Sequence, residues 1–332
     1  MPALPREVYV PPGGPGGLTG LRSVRAWLAV AAGLALAVAA CSGQATPPGQ
    51  GGHAAAAQPK VAYANIGGYL LAYECAGTGS PTVILEAGYT ASGISTYGPV
   101  IVPALARRTR VCTYDRAGDG LSDARPAKVR PLTGATQARE LRTLLEVIGV
   151  GPPYVLVGHS YGGMITREFA ALYPAQVAGM VLLDASSEPE VAVYDRLHAG
   201  PWIDGTVQPA PNQTINIGAT VRQLERAPSL GRMPLIVITA GILQDQWLKT
   251  IPQLEARAQT RLALQSADSV HVLARGVGHL IPSLDPQIVI AATKAVLAAA
   301  ASGHPLARCS QVFRLVPAGE CLRRGQLAQQ RT

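Results

Sequence analysis

The sequence predicts an α/β fold: a mostly parallel central sheet flanked by helices on both faces, with a lid insertion. Three observations carry this. From Val61 onward, short apolar strands alternate with segments of helical periodicity. The strands, such as Val155-Leu156-Val157 and 234–239, are apolar throughout, which suits strands covered on both sides. Finally, the run Tyr154–Val157 stops at Gly158-His159-Ser160-Tyr161-Gly162, and an amphipathic segment begins there.

Taken in order, Val61–Ile66 and Tyr69–Cys75 read as a hairpin around Gly67-Gly68. Thr82–Leu85 is a buried strand, Tyr97–Ala106 a helix, and Val111–Tyr114 a strand entering the polar turn 115–123. Residues 133–148 place Ala138, Leu141, Leu144, Leu145 and Ile148 at helical spacing. Strand 154–157, helix 161–173 and strand Ala178–Leu183 follow. Residues 185–232 form an irregular stretch, rich in Pro, Asn and Gln and too long for an ordinary connection. Its scattered apolar anchors, among them Tyr194, Trp202, Ile215 and Ile217, suit a lid over a site. Strand Pro234–Thr239, helix Gln246–Gln265, strand Ser269–Leu273 and helix Gln287–Ala300 complete a domain expected to span residues 60–302, with a tail at 303–332.

The turn at 158–162 is the most specific feature. Gly-x-Ser-x-Gly arises by chance in a chain with 36 glycines, but a strand before it and a helix after it make a nucleophile elbow. Such a turn strains the backbone at Ser160, and side chains at 158 and 162 would collide. The hydroxyl is lifted above the sheet edge, and the helix from Tyr161 points its first amides at developing negative charge.

A serine hydroxyl needs a base within hydrogen-bond reach. Of six histidines, His53 lies in an N-terminal tether, His198 in the insertion, His304 in the tail and His271 inside a strand. His159 sits within the elbow and reads as facing away from the nucleophile. His279 remains, in the glycine-rich loop Arg275-Gly-Val-Gly-His-Leu-Ile-Pro at a strand end, and is the predicted base. The orienting carboxylate is Asp184, which ends strand 178–183, with Asp245 after strand 234–239 as the alternative acid. Asp184 ranks first because no loop separates it from its strand. The two oxyanion-hole donors are assigned to the amides of Tyr161, directly after the serine, and Tyr89, in the loop Glu86-Ala-Gly-Tyr-Thr.

Only 14% of residues are charged, with a net charge of +8 that nowhere forms a basic stripe interleaved with aromatics, so no nucleic-acid partner is expected. Residues 1–40 read as a leader. Arg22 and Arg25 precede the apolar run Trp27–Ala40, which is too short and alanine-rich for a membrane span. The run ends in Val38-Ala-Ala-Cys41, similar to a bacterial lipobox, so Cys41 is a predicted lipidation site and a membrane anchor; cleavage as an ordinary signal peptide is the other reading. Residues 41–59 are a low-complexity tether. Export makes a Cys309–Cys321 disulfide the expected closure of the tail, while Cys75 and Cys112 are buried hydrophobes or a second pair if their strands are neighbours. No cysteine pair has C-x-x-C spacing, and neither a metal nor a cofactor is expected.

Glu86-Ala-Gly-Tyr89, Asp115-Arg-Ala-Gly-Asp-Gly-Leu-Ser122, Gly158-His-Ser-Tyr-Gly162 and Gly278-His279, spread through residues 61–302, together resemble the α/β-hydrolase superfamily. The resemblance implies a Ser-His-Asp hydrolase that cleaves an ester or related acyl bond of a small-molecule substrate through an acyl-enzyme; with the leader read above, an exported monomer is expected. It also implies a structural role for turn 115–122 beside the oxyanion loop. The chain departs from the family at 87–88, where Ala-Gly replaces the frequent His-Gly, and its serine argues against the aspartate-using dehalogenases and epoxide hydrolases. Two other readings stay open: a surface lipoprotein that keeps the fold only for binding, and a cofactor-free perhydrolase.

Overall fold

The computed structural model describes residues 60–126, 132–192, 215–243, 252–327 and 329. Among them, nine strands build one sheet: β1 (Ala62–Asn65), β2 (Leu70–Ala76), β3 (Thr82–Glu86), β4 (Val111–Tyr114), β5 (Tyr154–His159), β6 (Val177–Leu183), β7 (Leu235–Ala240), β8 (Ser269–Ala274) and β9 (Gly319–Leu322). Their spatial order is β1-β2-β4-β3-β5-β6-β7-β8-β9. The run from β4 to β8 is parallel, and the pairs β1–β2, β2–β4 and β8–β9 are antiparallel.

The apolar strands are buried on both faces because side chains alternate while both faces carry helices. Ile84, Leu156, Met180, Leu182 and Val237 point into one core. There they meet α3 (Gly134–Val147), α4 (Tyr161–Leu172), α5 (Ile217–Glu225) and the end of α6 (Pro252–Ala263). Their neighbours Val83, Leu85, Val155, Val157, Val181 and Ile236 point the other way. That second core is closed by α1 (Gly93–Tyr97), α2 (Ile101–Ala106), α7 (Ile281–Leu284), α8 (Pro286–Ser302) and the residues after α9 (Cys309–Val312). Several helix N-termini are capped by short polar side chains. Thr133 and Thr136 form a reciprocal capping box on α3, and the Asp285 carboxylate accepts from the amides of Gln287 and Ile288 at the start of α8. No described helix is long and apolar enough to cross a membrane.

Three expectations need correction. The helix expected over 97–106 is two helices: Ser92 caps α1 four residues earlier, and Val100, at φ −125°, breaks the path into α2. The insertion 185–232 is not irregular throughout. Asn216 caps α5, which buries Ile217, Val221 and Leu224 against α3 and α4, so the C-terminal part of the stretch is core. Residues 193–214, with Tyr194, Leu197, His198, Trp202 and Ile203, lie outside the described residues, as do 244–251; the helix expected from Gln246 is described over Pro252–Ala263. The tail is not a bare extension either, because β9 extends the sheet beside β8.

Two disulfides are present. Cys309 is joined to Cys321, and Cys75 to Cys112, which stand directly opposite each other on β2 and β4. Such bridges belong to proteins that mature outside the reducing cytoplasm. The Cys309–Cys321 bridge closes a loop with a sequence separation of 12 residues, for which loop entropy gives a stabilisation of about 3 kcal/mol. Cys321→Ser is therefore expected to lower the unfolding free energy by about 2–3 kcal/mol in denaturant titrations. Limited proteolysis should then cut first within 303–327, leaving the strands from β3 to β8 intact.

Candidate active site

The site grows from the β5–α4 turn. Ser160 adopts φ +54° and ψ −125°, a conformation that costs a non-glycine residue on the order of 1–3 kcal/mol and needs surrounding structure to hold it. Its amide donates to the Leu183 carbonyl, and its carbonyl accepts from Gly163 and Ser186. The glycines serve close approach. A Cβ on Gly158 would lie 2.6 Å from Thr166 Oγ1 and 2.7 Å from the Gly163 Cα. One on Gly162 would overlap the carbonyls of Glu86 and Ala87, and one on Gly163 would overlap the Ala185 methyl. The conflict expected between side chains at 158 and 162 is thus a conflict of residue 158 with the first turns of α4, and of residue 162 with the end of β3 and the loop after it.

Ser160 Oγ lies 2.9 Å from His279 Nε2, and His279 Nδ1 lies 2.7 Å from Asp184 Oδ2. Asp184 leaves β6 at φ +42°, a conformation aspartate tolerates better than most residues, and its other oxygen accepts from the Ala240 amide at 2.8 Å. The structure thus brings Ser160, His279 and Asp184 into one hydrogen-bonded chain; Asp245 lies outside the described residues. His279 sits on a loop tied to the end of β7, where the amides of Gly241 and Ile242 both donate to the Val277 carbonyl.

Tyr161 opens α4, so its amide belongs to the first turn that has no partner inside the helix. Tyr89 lies on the loop after β3, and the two tyrosine rings meet edge to face with centroids 6.2 Å apart. Arg116, from the turn after β4, anchors this loop. Its guanidinium donates to Glu86 and to the Ala87 carbonyl, both at 2.7 Å, and also to the Gly88 carbonyl. Glu86 is fully buried; burial raises its pKa, while Arg116 and the Tyr114 hydroxyl, 2.6 Å away, favour its charged form. Asp115 braces the same turn through Ser92 Oγ and the amides of Ile94 and Leu121.

Three features escaped the sequence reading. His159 does not face away from the site: its Nε2 is 2.8 Å from the His279 carbonyl, and the two rings have centroids 4.9 Å apart. Two further carboxyls stand near Asp184. Burial, then the Asp184 charge, pushes Glu190 up to about 7; burial, then Glu190, lifts Glu255 well above the usual carboxylate range. Glu190 falls in a stretch that reads as irregular, and the helical pattern around Glu255 does not mark its face as buried. Among the described residues, no cluster of His, Cys, Asp and Glu is arranged to hold a metal.

The chain belongs to the α/β hydrolase fold family, whose model matches residues 81–306. It is 40% identical over 111 residues to an AB hydrolase superfamily protein of Gibberella zeae, covering 32% of this chain and 33% of that protein. The YqjL protein of Bacillus subtilis is 29% identical over 221 residues, covering 64% of this chain and 82% of the relative. The chain therefore spans a third of the length of the first and four fifths of the second. In fold it is similar to a bacterial membrane phospholipase A (TM-score 0.52, 19% identity, 74% of this chain and 87% of that one). It is similar also to a thermophilic esterase from Thermogutta terrifontis (TM-score 0.50, 22% identity, 73% and 99%).

Two buried imidazoles make the fold sensitive to acid. His271 packs inside β8 with its Nε2 2.8 Å from Thr239 Oγ1, and burial lowers its pKa to about 4. Unfolded, it protonates near its ordinary 6.5, so the stability of the native state falls as the pH drops from about 6.5 to 4, by up to about 3 kcal/mol from this residue. In His271→Gln, thermal unfolding followed from pH 7 to pH 4 should show a shallower loss of Tm than in the native chain.

Proposed function

We propose that the chain is a serine hydrolase that cleaves an ester or related acyl bond of a small molecule through an acyl-enzyme. The observation that carries this reading is the continuous path from Ser160 Oγ through His279 to Asp184, with spacings of 2.9 and 2.7 Å. In the first half-reaction Ser160 Oγ attacks the carbonyl carbon while His279 Nε2 takes its proton. Negative charge builds on the former carbonyl oxygen, for which the amides of Tyr89 and Tyr161 are the assigned donors. The intermediate collapses by breaking the acyl–oxygen bond, and His279 returns the proton to the departing alcohol. Water then repeats the sequence on the acyl-enzyme, its proton passing through His279 to Ser160 as the acid leaves. Asp184, held by the Ala240 amide, keeps the imidazole in the tautomer that presents a bare Nε2 and stabilises the imidazolium.

The same reading places the domain outside the cell membrane, held by a lipid on Cys41 through the tether 41–59. The two disulfides and the Ala-Ala-Cys41 end of the apolar run support export.

Hydrolysis of p-nitrophenyl acetate and labelling by a fluorophosphonate should both vanish in Ser160→Ala. Asp184→Asn should lower kcat by about 10³–10⁴-fold, and Asp245→Asn should leave it within a few-fold. A native chain inert to both probes would overturn the reading. Separately, Cys41→Ser should move the protein from the detergent-extracted membrane fraction to the soluble fraction or stop its processing, with unchanged turnover by the mature domain. Free native protein with an unmodified N-terminus at or beyond residue 41 would remove the anchor and leave the hydrolase standing.

A further inference from the structure

His159 closes β5 immediately before Ser160, and its ring lies between the two loops that flank the serine. On one side is the His279 loop, with ring centroids 4.9 Å apart at an interplanar angle of 42° and His159 Nε2 2.8 Å from the His279 carbonyl oxygen. On the other side is the loop after β3: a Cβ on Gly88 would stand 3.0 Å from His159 Nδ1 and 3.4 Å from Ser160 Cβ. A side chain at 88 would have to push the ring or the loop aside by a few tenths of an ångström.

The hydrogen-bond chemistry assigns the tautomer. A carbonyl oxygen only accepts, so His159 Nε2 carries the hydrogen and donates it. Nδ1 is then a bare acceptor, and it has no partner among the described residues. The same His279 carbonyl also accepts from the Ile281 amide at 2.8 Å, closing a tight turn at Leu280. His159 thus supplies one of the two donors that set where the His279 backbone sits. The charged or titratable groups acting on it are His279 and Asp184, and burial followed by the His279 charge lowers its pKa to about 4. A neutral ring here avoids a second cation beside the imidazolium that forms during proton transfer.

We propose that His159 is a positioning residue: a neutral ring that spaces the His279 loop from the Gly88 loop and, by donating Nε2–H to the His279 carbonyl, aims the base at Ser160. The proposal rests on the reading of Ser160 and His279 as nucleophile and base. It assigns His159 no contact with substrate.

Two variants separate the donor from the bulk. In His159→Gln the amide nitrogen reaches roughly the position of Nε2; in His159→Asn it reaches only that of Nδ1 and falls short of the carbonyl. The readouts are kcat and KM for p-nitrophenyl acetate and the low-field proton resonance of His279 Nδ1–H bonded to Asp184. The Gln variant should keep the resonance and a kcat within about threefold. The Asn variant should lose or broaden the resonance and lower kcat by about 30- to 100-fold with KM nearly unchanged, the scale expected of a base misplaced by a fraction of an ångström to an ångström. An Asn variant with native resonance and kcat would overturn the proposal, as would a Gln variant that loses both as fully as Asn. The resonance does not depend on turnover. A chain inert toward esters whose Asn variant still loses the signal, while Gln keeps it, would sink the hydrolase reading but retain the positioning role.

Discussion

The strained turn at Ser160 is the constraint on which the rest of this site depends. A non-glycine residue at φ +54° does not hold itself there, so the surroundings must over-determine it. They do so through backbone contacts: the Leu183 carbonyl takes the Ser160 amide, and Gly163 and Ser186 donate back to its carbonyl. Because Leu183 and Ser186 come from β6 and the segment after it, the turn is set by strand pairing as much as by its own residues. The pairing of Gly158 with Leu182 and of His159 with Leu183 brings β6 to its end beside the serine, and Asp184 is the next residue. The strain at 160 and the placement of the carboxylate are consequences of one register.

A second constraint lies under the loop after β3. Arg116 and Glu86 form a buried ion pair, each almost fully shielded from water. An isolated pair of this kind contributes little net stability, since desolvation offsets attraction. Its effect here is geometric. The guanidinium also binds the Ala87 and Gly88 carbonyls, so those carbonyls face Arg116 and cannot swing away with the loop. Asp119, 3.0 Å from the same guanidinium, and Asp115 complete the brace. The structural role implied for turn 115–122 has this physical content. The absence of a histidine at residue 87 leaves that brace untouched, because the contacts there run to main-chain oxygens.

What the sequence made legible was local. Strands fully covered on both faces are continuous apolar runs, and the elbow announces itself by glycine spacing between a strand and a helix, so β3 to β8, Ser160 and His279 could be picked out. What stayed hidden required knowing which strands are neighbours. Asp184 and Asp245 could not be separated by spacing alone, and it is the β6–β7 register that sets the Asp184 carboxylate on the Ala240 amide. Cys75 and Cys112 face each other only because β2 pairs with β4, which are not consecutive in sequence. β9 is a partly exposed four-residue strand without an apolar pattern, and α5 hides in a stretch whose Pro, Asn and Gln content reads as loop. His159 was misjudged for a related reason: at a sharp turn the period-two alternation of a strand ends, so it no longer says where a side chain points.

The ionisable groups around His279 are largely withheld from water. An imidazole beside several ionised carboxylates would hold its proton and could not accept another. One carboxyl touches this one, that of Asp184, and Glu190 and Glu255 stand near Asp184. Burial, then the Asp184 charge, raises Glu190 to about 7, and burial, then Glu190, lifts Glu255 well above the usual carboxylate range, so both shed negative charge as the pH falls below neutral. On its other side the imidazole meets His159, which burial keeps neutral. Asp184 is therefore the carboxylate that acts on His279 at close range, and it is held by a backbone amide at 2.8 Å. The fold reaches this balance by withholding water from the neighbouring ionisable groups rather than by omitting them.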